Sequence, residues 1–246
     1  MRIIHLTDPH LRHYLPGTSS VPGRESCLMP AILERAMALC RRIQPDLGVL
    51  SGDLVDVPSE LVEDPETQTL AQKDYDLVHD LLQEASIPWV VLPGNHDLVE
   101  QVSDTFASSN DRVVCGMRVI SFEDQERADH VPERVGAERR RFVEALRDGD
   151  DTPQIHVQHY VVSPRLDLGY PHTYADGEAM RDLIVSASKV KLVLSGHYHP
   201  GVAPFQLSGS WFSVPPALCV APFSALVYDL DRSGLTWCRT DLGNAR

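Results

Sequence analysis

The chain is poor in cysteine, and what cysteine it has makes no pattern. Cys27, Cys40, Cys115, Cys219 and Cys238 are scattered, odd in number, and form no Cys-x-x-Cys pair. That argues against a disulfide framework and against a thiolate metal site. No run of 18 apolar residues occurs, and Met1-Arg2-Ile3-Ile4-His5-Leu6 passes straight into a strand pattern with no apolar stretch of signal-peptide length. The expectation is a reduced, cytoplasmic protein with no membrane contact. Positive charge is scarce as well: 22 Lys and Arg stand against 35 Asp and Glu, a formal charge of −13. Such a balance repels a nucleic-acid backbone, so no nucleic-acid polymer is expected as partner. Arg139-Arg140-Arg141 is the single basic triplet; Glu138 and Glu144 flank it, which suits a solvated helix face. Internal repeats and an interdomain linker are also missing. The 246 residues, 43% of them hydrophobic, are enough for one α/β domain spanning 1–246.

Within that frame, short apolar runs alternate with helical patterns. Strands are read at 3–6, 47–51, 87–92, 154–158 and 190–194, each a short apolar run closed by turn residues. Helices are read at about 28–43, with Pro30 in the first turn, at about 69–85, at 135–147, and at 176–188 with Asp176 as cap. Residues 98–109 are weakly helical, and 112–122 read as a hairpin or two short strands. From 202 to 242 short apolar runs alternate with turns, which predicts antiparallel strands and no helix. Two loops, 11–27 and 162–175, are long for connections inside a compact domain, and a functional role is favoured for both.

The strand ends carry the chemistry. Asp8 and His10 follow the first strand, Asp53 the second, Asn95 and His96 the third, His159 the fourth, and His197 and His199 the fifth. An Asp after a strand is usually a cap, and a lone His is more often a hydrogen-bonded residue than a ligand. Here they recur at one strand end after another, where open α/β sheets place their ligands. In Asp8-x-His10 and His197-x-His199, alternate residues of an extended segment face one side. Oxygen and imidazole ligands without thiolate suit Mn, Fe or Zn. The set exceeds what one ion normally takes; two ions about 3.5–4 Å apart, sharing a carboxylate, would use it fully. Two such cations lower the pKa of a shared water and supply a hydroxide for in-line attack on a phosphoryl group.

Asp8-Pro9-His10, Gly52-Asp53-Leu54-Val55-Asp56, Gly94-Asn95-His96-Asp97, His159 and Gly196-His197-Tyr198-His199 resemble, in order and spacing, the five motifs of the calcineurin-like metallophosphoesterases. The resemblance implies an α/β fold, a two-sheet αββα sandwich with mixed sheets and helices outside, with the run after 202 completing the second sheet. It implies that Asp8, His10, Asp53 and His199 hold one metal, and that Asp53 bridges to a second held also by Asn95, His159 and His197. It aims His96 at the substrate, with Asp97 behind it as orienting partner and Asp56 as a supporting residue.

Among these enzymes the compact chain looks most like the class III cyclic-nucleotide phosphodiesterase group. Asp56 stands where purple acid phosphatases carry a tyrosine ligand. Gln158-His159-Tyr160 departs from the His-His-Pro often found in the class III group. The expected substrate is a small phosphodiester such as a cyclic nucleotide. Phosphomonoester or nucleotide pyrophosphate hydrolysis is the alternative, and a non-catalytic metal-binding scaffold is the alternative of another class. Arg12, His13, Arg165, His172 and Tyr174 are candidates for holding a phosphate or stacking a base, beside the ordinary reading as loop residues. The oligomeric state stays open, with a homodimer among the options.

Overall fold

The computed structural model describes residues 1–106, 110–167, 169–231 and 233–243. In chain order the elements are β1 (Arg2–Leu6), α1 (Met29–Ile43), β2 (Leu47–Ser51), α2 (Pro65–Gln83), β3 (Trp89–Leu92), α3 (Val99–Phe106), β4 (Asp111–Val114), β5 (Met117–Ser121), β6 (Gln125–Glu126), β7 (Pro132–Glu133), α4 (Gly136–Arg147), β8 (Gln154–Val157), α5 (Gly177–Ala187), β9 (Val190–Leu194), β10 (Val202–Leu207), β11 (Ser210–Val214), β12 (Ser224–Asp231) and β13 (Gly234–Asp241). They form a five-stranded sheet in the order β13-β12-β1-β2-β3, a six-stranded sheet in the order β10-β11-β9-β8-β5-β4, and the small pair β6-β7.

Both large sheets are mixed. β1, β2 and β3 run parallel in the first, and β5, β8, β9 and β11 in the second. Side chains alternate along each strand, so successive residues serve different layers. Ile3, Val49, Val90 and Leu92 meet Ile155, Val157, Leu192 and Leu194 between the sheets. Ile4, Leu6, Leu50 and Val91 face Leu33, Met37, Tyr75 and Val78 of α1 and α2. Ile120, Val193 and Phe212 face Phe142, Met180 and Ile184 of α4 and α5. This is an αββα sandwich. Strands buried on both faces read as continuous apolar runs, which is why Leu47–Ser51 shows no alternation in sequence.

Three sequence expectations are corrected. The second helix begins at Pro65, not near 69: the Asp64 side chain accepts the Thr67 N–H at 2.8 Å, and Pro65 occupies the first turn, where it has no N–H to waste. Asp176 precedes α5 but makes no capping bond; its carboxylate pairs with Arg139 at 3.0 Å. The strands after 202 do not all complete the second sheet. β10 and β11 join it, β11 lying parallel to β9, whereas β12 and β13 extend the first sheet beyond β1. Hairpin composition says that two strands pair but not which sheet receives them. Residues 107–109 of the weakly helical stretch lie outside the described residues.

The connection from β11 to β12 crosses between sheets and passes the carboxyl ends of the parallel strands. Ala217 N–H donates to the His199 carbonyl at 2.9 Å, Leu218 N–H to Thr7 at 2.8 Å, and Cys219 N–H to Asp8 at 3.2 Å. The 11–27 loop is anchored from the other side. Asp74 of α2, fully buried, accepts the N–H groups of His13, Tyr14 and Leu15 at 3.2, 2.8 and 3.1 Å. Asp74→Ala strands these donors, and a buried donor without a partner costs about 1–3 kcal/mol. The variant should lose about 2–3 kcal/mol in denaturant unfolding; a loss below about 0.5 kcal/mol would show that the anchor is dispensable.

Candidate metal centre and active site

Three of the five strand ends deliver a side chain through a backbone the chain adopts only under constraint. Asp8, His10, Asp53 and His197 all have positive φ, at 52°, 44°, 52° and 66°. Side-chain-bearing residues seldom sit there, and each such position costs roughly 1–3 kcal/mol unless its surroundings enforce it. The enforcement is visible in bonds between the motifs. Asp8 N–H donates to the Gly52 carbonyl, His10 N–H to Asp53, and Gly196 N–H to His159, at 3.1, 2.9 and 2.7 Å. Gly94 is required by close approach: a Cβ there would land on the Asp53 carboxylate and backbone N and within 2.7 Å of His159 Nε2.

Among the described residues four groups of side chains could hold an ion; His10 and His199 also approach Cys219, and His10 also approaches Asp56 and His96, but two groups divide the strand-end residues and share Asp53. Asp8, His10, Asp53 and His199 bring ligand atoms within 4.8 Å of one another, and so do Asp53, His159 and His197. The two oxygens of Asp53 divide between them: Oδ2 lies 3.4 Å from His10 Nε2, and Oδ1 lies 3.5 Å from His159 Nε2. Asn95 Oδ1 is 3.1 Å from the same His159 nitrogen.

The residues present fit a pair of cations. His159 Nδ1 donates to the Ser51 carbonyl at 2.7 Å, which turns the Nε2 lone pair toward Asn95 and Asp53. His10 Nε2 and His199 Nε2 face each other at 3.2 Å, as two ligands of one ion do. Asp8 Oδ2 is taken by the Thr7 hydroxyl and the His197 N–H at 2.6 and 3.0 Å, leaving Oδ1 buried and unpartnered beside His199 at 3.5 Å. His197 Nε2 is buried and unpartnered as well. Electrostatics make the same demand for positive charge. Burial alone would lower His159, but Asp53 and Asp8 push it up to about 9. Burial would raise Asp53, and His159 and His10 hold it well below the usual carboxylate range. His10, by contrast, is lowered to about 4, mainly by burial. A divalent ion held there would meet the demand at His159 in place of the proton.

Behind the ligands runs a chain that the sequence reading missed. His5 Nε2 and the Ser51 hydroxyl are 2.7 Å apart, Ser51 donates to Thr7 at 2.9 Å, and Thr7 donates to Asp8. The direction of the last two bonds makes His5 Nε2 the donor in the first. Burial lowers His5 to about 3, so it is neutral.

The expectation for Asp97 is corrected. It does not stand behind the His96 ring. Its carboxylate accepts the N–H groups of Gly94, Leu54 and Val55 at 2.8, 3.0 and 3.1 Å and the Tyr75 hydroxyl at 3.2 Å, so it clamps the second and third motifs together. Burial first, then Asp53, raises it to about 7. The carboxylate facing His96 is Asp56, whose Oδ1 lies 3.8 Å from His96 Nδ1 and 3.6 Å from His10 Nδ1. Arg24 Nη1 reaches the same oxygen at 3.1 Å, and Arg12 Nε reaches Oδ2 at 2.9 Å. Burial would raise Asp56; His10 and Arg12 hold it well below the usual range.

A cavity of about 230 Å³ opens over the clusters, lined by Asp53, Asn95, His96, His197 and His199 together with Arg24, Tyr170 and His172. Of the candidate loop residues, His172 therefore reaches the site, its ring 5.2 Å from that of His197. Arg12 turns inward but is engaged by Asp56. His13 is exposed, its ring against Tyr14. Arg165, 66% exposed, pairs with Asp167. Tyr174 is buried, donating to Asp124 in the second sheet's core. Arg24 and Tyr170 were not singled out individually; neither has a local pattern, and their place depends on contacts with Asp56 and Glu126 far along the chain. Among the described residues, no helix is long and apolar enough to cross a membrane.

An αββα sandwich with two linked oxygen–imidazole clusters at its strand ends is the architecture of a metal-dependent phosphoester hydrolase. The family model for calcineurin-like phosphoesterases matches residues 1–201, and the chain belongs to that family. It is 25% identical, over 212 residues, to a probable cyclic nucleotide phosphodiesterase of Synechococcus sp., covering 81% of this chain and 73% of that one. Its fold is similar to that of a dimetal phosphatase from Danio rerio, with a TM-score of 0.73 at 13% identity over 98% and 96% of the two chains. It is also similar to that of a protein from Thermus thermophilus, with a TM-score of 0.67 at 19% identity over 98% of each.

Metal analysis of protein reloaded with Mn2+ should approach two equivalents per chain, and Asp53→Ala should lower that more than any other single ligand change. Saturation at one equivalent in the wild type would contradict a shared carboxylate.

Proposed function

We propose that the chain is a two-metal phosphodiesterase for small phosphodiesters. The observation that carries this reading is the division of the Asp53 oxygens between two imidazole clusters. Bound there, two divalent ions would supply an activated water and neutralise the phosphoryl oxygens. Asp8, His10, Asp53 and His199 would hold one, and Asp53, Asn95, His159 and His197 the other. The Synechococcus relative supports a diester as substrate, cyclic nucleotides being the first class to try.

The chain's own residues supply the rest. His96 lines the cavity with its side chain 29% exposed, while its backbone N–H donates to Asp53 Oδ1 at 2.9 Å. The main chain of this residue thus holds the bridge, and its ring is free to meet the substrate. Asp56 Oδ1 lies 3.8 Å from His96 Nδ1, too long for a hydrogen bond, so the ring is not tied back to it. A protonated His96 donates to the leaving oxygen. Tyr170 and His172 offer ring faces at the cavity wall for the organic part of the substrate. A second reading, hydrolysis of a nucleotide pyrophosphate, draws on one observation, the guanidinium of Arg24 at the cavity beside His96.

With Mn2+, bis-p-nitrophenyl phosphate should be turned over faster than p-nitrophenyl phosphate. The monoester carries an extra charge on the reacting phosphoryl group, and Arg24, shared with Asp56, sits toward the leaving side. A large monoester preference would overturn the diesterase reading.

His96→Ala should keep its metal content and lose roughly 10²–10⁴-fold in kcat, the usual contribution of general acid–base assistance. The loss should be greater on a nucleotide, whose alkoxide needs a proton, than on the nitrophenyl diester, whose phenolate does not. Equal losses would make His96 a charge stabiliser, and loss of a metal equivalent would make it a ligand.

A further inference from the structure

A second cavity, of about 210 Å³, adjoins the first, and the residues common to both are Arg24 and His96. Its wall comes from the 11–27 loop and from the segment after β2, including Thr18, Ser20 and Ser59. Its charged groups are Arg12, Arg24, Asp56 and Glu60, with His96 at the entrance. Glu60 is exposed at the rim and takes a hydrogen bond from Ser59. In the interior, two guanidinium groups face the single carboxylate of Asp56. The Arg24 side chain is only 10% exposed, yet its Nε is buried with no partner. A guanidinium that lines both cavities and shares a single carboxylate with a second arginine has charge left over for an anion.

We propose that Arg24 is a specificity residue that binds a second anionic group, carried by the leaving half of the substrate, in the chamber beyond His96. The inference rests on the hydrolase reading above and narrows it. A cyclic nucleotide brings one negative charge and leaves Arg24 unused. A diphosphate diester, whose leaving group is itself a phosphate monoester, brings both. In its hydrolysis the oxygen of water bonds to the scissile phosphorus and the bond from that phosphorus to the bridging oxygen breaks. The electron pair stays on the bridging oxygen, which becomes a terminal oxygen of the departing phosphate. The protons of water end on the two products or in solvent.

The test compares kcat/KM of the Mn2+-loaded enzyme on a nucleoside diphosphate sugar and on bis-p-nitrophenyl phosphate, whose leaving group carries no second anion. Arg24→Gln should lose about 10–100-fold on the diphosphate, the worth of one charge-assisted hydrogen bond, and at least tenfold less on the nitrophenyl diester. Arg24→Lys should recover part of the loss. Ser20→Glu, at an exposed position of the chamber, should show the same selective loss with Arg24 intact. Equal losses on both substrates would make Arg24 a support for Asp56 and overturn the proposal. So would faster wild-type turnover of cyclic AMP than of the diphosphate, or turnover of the nitrophenyl diester alone; these leave the diesterase reading standing. Turnover of none of the three would overturn both.

Discussion

The carboxylate of Asp53 looks two ways. One oxygen faces His10 and the other faces His159, and everything nearby serves to hold it there. Its own backbone is in the left-handed region, Gly94 approaches too closely to carry a side chain, and the His96 N–H pins Oδ1. Without cations the carboxylates of Asp8 and Asp53 repel each other in a buried space, and the imidazole of His159, pushed up to about 9, offsets them only in part. The fold tolerates it because the sheets beneath are packed on both faces and the repelling groups sit on short segments leaving rigid strands.

A second carboxylate, Asp56, organises the outer side. It gathers Arg12, Arg24, His10 and His96, and so links the first candidate metal cluster to the His96 ring at the cavity wall. Asp97 plays the complementary part by tying Leu54 and Val55 after the second strand to Gly94 after the third. The two carboxylates differ in surroundings: Asp56 has His10 and the guanidinium groups of Arg12 and Arg24 beside it, whereas Asp97 is deeply buried next to the negative Asp53. Hence one is held far below the ordinary range and the other is lifted to about 7.

Much of this could be read from the chain. Asp8, His10, Asp53, Asn95, His159, His197 and His199 stand at the ends of apolar runs, and a parallel sheet brings such ends together whatever the loops do. The layered fold was implied by the resemblance of the five motifs, with the apolar runs giving its strands. What could not be read was direction. Asp97 is next to His96 in sequence yet turns toward backbone amides, because the tight turn at Gly94 leaves its carboxylate inside. Arg24 and Arg165 look alike in loops rich in proline and glycine; Asp56 draws the first inward and Asp167 holds the second at the surface. The last strands carried pairing information without a destination, so β12 and β13 were assigned to the wrong sheet.

The crossing between β11 and β12 has a bearing on how the protein is made. All the candidate ligands are present once residue 199 has been synthesised, but the carbonyls of Thr7, Asp8 and His199 are bonded by Ala217, Leu218 and Cys219. A nascent chain stopped short of that crossing owns every donor atom and lacks the brace that keeps Asp8 in its strained turn. The candidate cluster is thereby tied through the backbone to the C-terminal strands, and it is fully braced only when β11 and β12 are both in place.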